Sequence, residues 1–310
     1  MNKLIVLLLI NFICISVNGQ KKNLPIIDMH LHAMNSIWSE YLIQFPDPAR
    51  SPKTKIKDIS ELLPGTVEEM KKHNVVLGIV TQDDLVELYR WKKYAPDIFL
   101  TGIMFFDPSL PDISLLRQEF EEGRLNIVGE IATQYNGFAP NDPKTDKFYG
   151  LAEEFDVPVL IHCAGMAGAS DLFNIKDGNP ILLEEVLKKH PNLRLYIENA
   201  SYPYSNEIIS LMYRYPNVYA DLSTVTWLIP IKAFHNYLKE LMDAGLGKRL
   251  MFGSDQMIWP ETIGMAIESI ESAKFLSEEQ KRDIFYNNAA RFLRLSEEEI
   301  IKHHEVVNDR

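Results

Sequence analysis

Cysteine is nearly absent: the chain of 310 residues holds two, Cys14 and Cys163. That excludes a disulfide framework and leaves stability to a packed core. Positive charge is also in short supply. Lys and Arg number 32 against 43 Asp and Glu, and the formal net charge of −11 argues against nucleic-acid partners, whose phosphates it would repel. No glycine-rich phosphate loop follows any early apolar run, which disfavours an open dinucleotide-binding sheet. Beyond the N-terminus no apolar stretch approaches the ~20 residues of a membrane span. What remains is 46% hydrophobic and 24% charged, the balance of a folded globular protein.

The N-terminus has its own pattern. Lys3 precedes an apolar run from Leu4 to Val17, and Val17-Asn18-Gly19 offers small residues for cleavage. Such a pattern predicts a secretory signal peptide over residues 1–19. Bulky Ile13 before Cys14 fits a lipoprotein signal poorly. The expectation is an exported protein, periplasmic or secreted, with no membrane attachment after cleavage and Cys163 as its single thiol. Its oligomeric state, homo-oligomer included, stays open.

From Leu24 onward short apolar runs alternate with amphipathic stretches. The runs are Pro25–Met29, Val75–Val80, Phe99–Phe105, Ile127–Ile131, Val157–Ile161, Leu193–Ile197, Val218–Leu222 and Arg249–Phe252. Helical patterns lie between them, for example at 64–73, 83–94, 146–155 and 231–244. Strands apolar on both faces imply a parallel sheet, and eight of them imply closure into a (β/α)8 TIM barrel over residues 20–295. Residues 296–310 read as a C-terminal helical tail. His73, His190, His235, His303 and His304 fall at helix ends or on charged faces, where caps and solvation explain them.

The chemistry concentrates elsewhere. His30 and His32, in Asp28-Met29-His30-Leu31-His32, share one face of a strand and can present both imidazoles to one ion. Glu130 ends the fourth run, His162 ends the fifth and Asp255 follows the eighth. Each is costly to bury unless paired or metal-bound. Counted in βα units of ~33 residues, they lie three, one and three units apart, so all fall at the C-terminal strand ends where barrel active sites are built. That phasing predicts a metal site.

The segments Ile26–His32 (IIDMHLH), Gly129–Gly137 (GEIATQYNG), Pro158–Gly165 (PVLIHCAG), Pro216–Ser223 (PNVYADLS), Arg249–Gln256 (RLMFGSDQ) and Asn287–Leu293 (NNAARFL) resemble the amidohydrolase superfamily, in its amidohydrolase-related branch. The resemblance implies a distorted barrel with one or two divalent ions, held by His30, His32, His162 and Asp255, with Glu130 at the bridging position of strand four. It departs at strand six, where Tyr196-Ile197-Glu198-Asn199-Ala200 puts Asn199 in place of the family's histidine. An amide is a poor zinc ligand, and Glu198 faces the wrong way unless a bulge turns it. One tightly held ion is therefore expected, the second being weak or missing.

Imidazole and carboxylate donors suit zinc first, then manganese, nickel or iron. The ion's task is to acidify water for attack, with Asp255 as the general base and Asn199 donating a hydrogen bond to the substrate. Aromatic and apolar residues in the loops after the strands (Trp38, Tyr41, Phe45, Tyr135, Phe138, Trp227 and Trp259 among them) imply a pocket for a small, partly apolar or ring-shaped substrate, with Tyr135 and Trp227 as contacts. The segment 163–180 has the length and glycine content of a lid. The expected function is metal-dependent hydrolysis of an ester, lactone or amide. The alternatives are a single-metal lyase (a non-oxidative decarboxylase or hydratase) and a binding protein that has lost its chemistry with the strand-six histidine.

Overall fold

The structure, a computed structural model, describes residues 24–37, 56–166 and 170–309. The signal-peptide expectation and the loop residues Trp38, Tyr41, Phe45 and Gly168 lie outside the described residues. The apolar runs form eight parallel strands paired in chain order. They are β1 (Ile26–His32), β2 (Val75–Gln82), β3 (Phe99–Phe105), β4 (Ile127–Ile131), β5 (Val159–Ile161), β6 (Leu195–Ile197), β7 (Val218–Asp221) and β8 (Leu250–Met251). The circle closes just beyond β8. There the Met29 N–H donates to the Phe252 carbonyl at 2.9 Å, the His32 N–H to Gln256 at 3.0 Å and the Asp255 N–H to His30 at 2.9 Å.

Helices fill the crossovers: α1 (Leu62–Lys72), α2 (Leu85–Tyr94), α3 (Ile113–Glu121), α4 (Asp146–Phe155), α5 (Leu183–Lys189), α6 (Ser205–Arg214), α7 (Val225–Leu228), α8 (Ile231–Asp243) and α9 (Thr262–Glu271). After them come α10 (Glu278–Arg282), a π-helical turn at Asp283–Asn287, α11 (Asn288–Leu293) and α12 (Glu297–Asn308). Starts follow local chemistry. The Asp84 and Asp112 carboxylates accept from the Val86 and Ser114 N–H groups, and Ser296 with Glu299 forms a capping box for α12. None of the described helices is long and apolar enough to cross a membrane.

The core has two layers. One lies between strands and helices, with Leu31, Trp91, Phe148 and Phe234 among its largest members. The other fills the barrel's N-terminal end, where Ile27, Met29, Leu77, Ile127, Leu160, Tyr196 and Met251 pack against Tyr286, Phe292 and Val307 of the C-terminal helices. The tail therefore plugs the bottom of the barrel, with Val307 fully buried. The C-terminal strand ends, opposite it, are left open to carry chemistry.

Four expected strands are longer than the structure has them. β5 starts at Val159 rather than Val157, β6 at Leu195 rather than Leu193, β7 ends at Asp221 rather than Leu222, and β8 is only Leu250–Met251. Pro158 has no N–H for the ladder, which sets the start of β5. By contrast β1 continues to His32, because Leu31 and His32 still pair with Val80 and Thr81 of β2.

Candidate metal centre

Local irregularity in two strands sets the site. The β1–β2 register shifts between Asp28 and Leu31, so Met29 stays in the lower core while His30 and His32 meet at the upper rim. In β4 the register with both neighbours slips beside Gly129, whose φ is +121°. A Cβ there would lie 2.2 Å from the Leu160 carbonyl oxygen, so only glycine lets β4 pass β5 this closely. Glu130 is thereby delivered to the same rim as the histidines.

The predicted ligands converge. His30 Nε2 and His32 Nε2 are 3.1 Å apart, and Asp255 Oδ1 lies 2.9 Å from His32 Nε2 and 3.8 Å from His30 Nε2. Glu130 Oε2 is 3.5 Å from both of those nitrogens, while its Oε1 faces His162 Nδ1 at 3.7 Å. All five side chains are buried. His30, His32 and Asp255 form one group of donor atoms close enough to hold an ion, and His30, Glu130 and Glu198 form another.

Outer partners fix the rings. The Met166 carbonyl can only accept, so His162 donates to it from Nε2 at 2.8 Å and turns Nδ1 towards the carboxylates. Thr81 Oγ1 lies 3.2 Å from His32 Nδ1, and Asp221 Oδ2 lies 3.5 Å from His30 Nδ1. The Asp28 Oδ1 accepts from the His30 N–H at 3.1 Å and from the Ser254 N–H at 2.9 Å, tying β1 to the loop after β8. Asp255 Oδ2 accepts a short hydrogen bond from the Thr224 hydroxyl, leaving Oδ1 for the centre.

The electrostatics ask for positive charge. Glu130, Glu198, Asp221 and Asp255 are all buried, and among the described residues no lysine or arginine pairs with them. Burial pushes the His30 ring towards neutrality, yet the Asp255 charge and the Asp221 and Glu130 carboxylates outweigh it and hold its proton affinity well above the ordinary value. Burial likewise raises Glu130, but hydrogen bonding to His30 and the charges of His32, His30 and His162 bring it down to about 2. Burial pushes Asp28 up to about 7, against the hydrogen bonds from Ser254 and His30. Asp255 Oδ1, Glu198 Oε2 and Asp221 Oδ2 are buried without hydrogen-bond partners. The orphaned Asp255 and Glu198 oxygens beside facing imidazole nitrogens fit a divalent cation.

Other predicted residues have different surroundings. Asn199 is 3% exposed, and both ends of its amide have partners. Its Oδ1 accepts from the Thr224 N–H at 2.9 Å and the Ser223 hydroxyl at 3.1 Å, while its Nδ2 donates to Glu198 Oε1 at 3.1 Å. It is placed to orient Glu198. Trp227 is 1% exposed, its indole N–H donates to the Ser254 carbonyl at 2.7 Å, and its ring lies against Trp259. It supports the loop after β8. Tyr135, half-buried, packs its ring 4.9 Å from the His162 ring, beside the centre. Parts of the glycine-containing segment 163–180 are pinned: a Cβ on Gly178 would lie 1.8 Å from the Ala164 carbonyl oxygen, and the Tyr204 hydroxyl donates to Ile175.

Sequence reasoning missed Asp221, although an acid ending an apolar run was the same signal that found Glu130. It also left Glu198 facing away. In the structure β6 stops at Ile197, and the turn Glu198–Ser201 runs through positive φ at Asn199, Ala200 and Ser201. That turn brings Glu198 Oε2 to 3.5 Å from His30 Nε2 and its Oε1 against His162 Nδ1.

Comparison with known proteins shows the family and the fold. Residues 27–295 match the family model described as amidohydrolase. A curated relative, protein fluG of Emericella nidulans, is 26% identical over 156 residues, which cover 46% of this chain and only 18% of that protein. Among solved structures, a TIM-barrel protein of Bordetella bronchiseptica superposes with a TM-score of 0.67 at 19% identity, covering 87% of this chain and 99% of that one. A probable 2-pyrone-4,6-dicarboxylic acid hydrolase from Acinetobacter baumannii, with citric acid bound, gives 0.63 at 15% identity over 88% and 100%. A dihydroxybenzoic acid decarboxylase from Polaromonas, with manganese and an inhibitor bound, gives 0.62 at 14% identity over 89% and 99%. The eight-stranded barrel, the family match across its whole length and the rim of imidazoles and carboxylates lead to one conclusion: this chain belongs to the amidohydrolase family.

Proposed function

We propose that the protein is a metal-dependent hydrolase that adds water across an ester, lactone or amide bond of a small, partly apolar or ring-bearing substrate. One observation carries the reading. The orphaned Asp255 Oδ1 and two imidazole nitrogens, mutually within 3.8 Å, sit buried at the C-terminal rim of the barrel. His30, His32 and Asp255 would hold the ion, zinc in the first instance, with manganese, nickel or iron as alternatives. When bound, a divalent ion supplies Lewis acidity and lowers the pKa of water from about 15.7 towards 7.

The protein's own groups do the rest. Asp255 is fixed by the Thr224 hydroxyl, so its carboxylate keeps one orientation while it takes the proton of the attacking water and returns it to the leaving group. Asp221 behind His30 and the Met166 carbonyl behind His162 hold those rings in place. Tyr135 offers an aromatic face beside His162 for an apolar or ring-shaped part of the substrate.

Asp255→Asn keeps the side chain's shape but removes the base. It should lower turnover by at least about a hundredfold while the circular-dichroism spectrum stays native. Activity retained on the same substrate removes Asp255 from the role. A lyase reading, decarboxylation or hydration, uses the same donors, and a barrel of this shape is found in a decarboxylase. Product analysis separates them: hydrolysis puts labelled water oxygen into a newly formed carboxylate, hydration puts it into an alcohol with no acyl bond broken, and decarboxylation releases carbon dioxide. Export through the N-terminal segment is part of the proposal, which places the enzyme in the periplasm or outside the cell.

A further inference from the structure

Glu198 and His162 present an unsolved contact. His162 Nε2 donates to the Met166 carbonyl, so in the neutral ring Nδ1 carries a lone pair. That lone pair faces Glu198 Oε1 at close contact, and a carboxylate oxygen is also an acceptor. Two acceptors in contact need positive charge between them, supplied by a proton on His162 or by a metal ion, and the second carboxylate oxygen favours the ion. The other oxygen, Glu198 Oε2, is buried, has no hydrogen-bond partner and points at the centre, 3.5 Å from His30 Nε2. Glu130 divides itself between the two sides, with Oε2 towards His30 and His32 and Oε1 towards His162.

We infer that Glu198 is a metal ligand standing in for the strand-six histidine, and that with His162 and one oxygen of Glu130 it forms a second divalent-ion position. This position lies beside the one framed by His30, His32 and Asp255. Asn199 is its positioning residue. Its Nδ2 holds Glu198 Oε1 at 3.1 Å, its Oδ1 is anchored on Thr224 and Ser223, and its left-handed backbone (φ +58°) makes the turn that swings Glu198 inward. The residue that broke the family pattern thus preserves its outcome by aiming a neighbouring carboxylate. The inference rests on the metal-centre reading above and replaces the single-ion expectation drawn from sequence.

The test counts ions. The full protein is saturated with zinc, and separately with manganese, then desalted and analysed by mass spectrometry for metal per chain. Titration calorimetry gives the affinities. The wild type should hold two ions. Glu198→Gln, which keeps the shape and loses the charge, should hold one and bind the second about tenfold to a hundredfold more weakly. Asn199→Gly accepts the positive φ and removes only the amide, so it should weaken the second ion alone. It also serves if Glu198→Gln does not fold. A wild type with one ion overturns the inference and leaves the metal centre standing, as does a folded Glu198→Gln with two ions at unchanged affinity. A wild type that binds none overturns the metal-centre reading itself.

Discussion

Gly129 decides where Glu130 goes. At φ +121° a side chain is strained, and its Cβ would meet the Leu160 carbonyl at 2.2 Å, which is backbone and has no rotamer to yield. Gly129→Ala should therefore cost at least about 2 kcal/mol of stability and move β4 away from β5. Chemical denaturation reads the loss directly, and an unchanged midpoint would show that β4 tolerates a side chain there. At this scale much of the site was legible in sequence. His30, His32, Glu130, His162 and Asp255 announce themselves because an ionisable group at the end of an apolar run needs a partner. Glu198 did not, since its direction depends on three successive left-handed residues after β6 that no alternation rule foresees. For Asn199 and Trp227, expected as substrate contacts, the sequence does not show the hydrogen bonds their side chains make within the protein.

Elements are held to one another by polar clips as well as by the core. On the outside of the barrel, Arg124 donates from Nε and Nη2 to the Glu119 carboxylate at 2.7 Å each, and the Tyr89 hydroxyl of α2 donates to the same group on α3. Hydrogen bonding to Arg124 holds the Glu119 carboxyl below its ordinary value of 4.5, against the pull of burial, with Tyr89 assisting. The folded protein thus releases this proton at a lower pH than the unfolded chain. The clip's contribution is fully present above the ordinary value and drains away as pH falls through the lowered one. Glu119→Gln should lose stability at neutral pH and show a flatter decline on the acid side. Urea midpoints between about pH 3 and pH 7 test this, and parallel curves for the two proteins would remove Glu119 from the clip. Elements themselves were legible where periodicity was strong, as for α4 and β3, whose bounds coincide with expectation. Strand ends were not, because the ladder stops at a proline or a turn while the apolar pattern runs on.

The whole molecule divides its work between two ends. The C-terminal helices close the lower end with Tyr286, Phe292 and Val307, so the strands are anchored far from the chemistry. The upper end carries the buried acids, which among the described residues have no lysine or arginine partners. The acidity of the chain as a whole says little about function, whereas those few enclosed carboxylates, facing imidazole nitrogens, support the proposed cation. The central claim is that His30, His32 and Asp255 hold a divalent ion. A crystal of the zinc-loaded protein, measured across the zinc absorption edge, tests it most directly. The account predicts an anomalous peak about 2.0–2.3 Å from His30 Nε2, His32 Nε2 and Asp255 Oδ1. A fully loaded crystal with no peak there, and with Asp255 hydrogen-bonded to a protonated His32 instead, would contradict it.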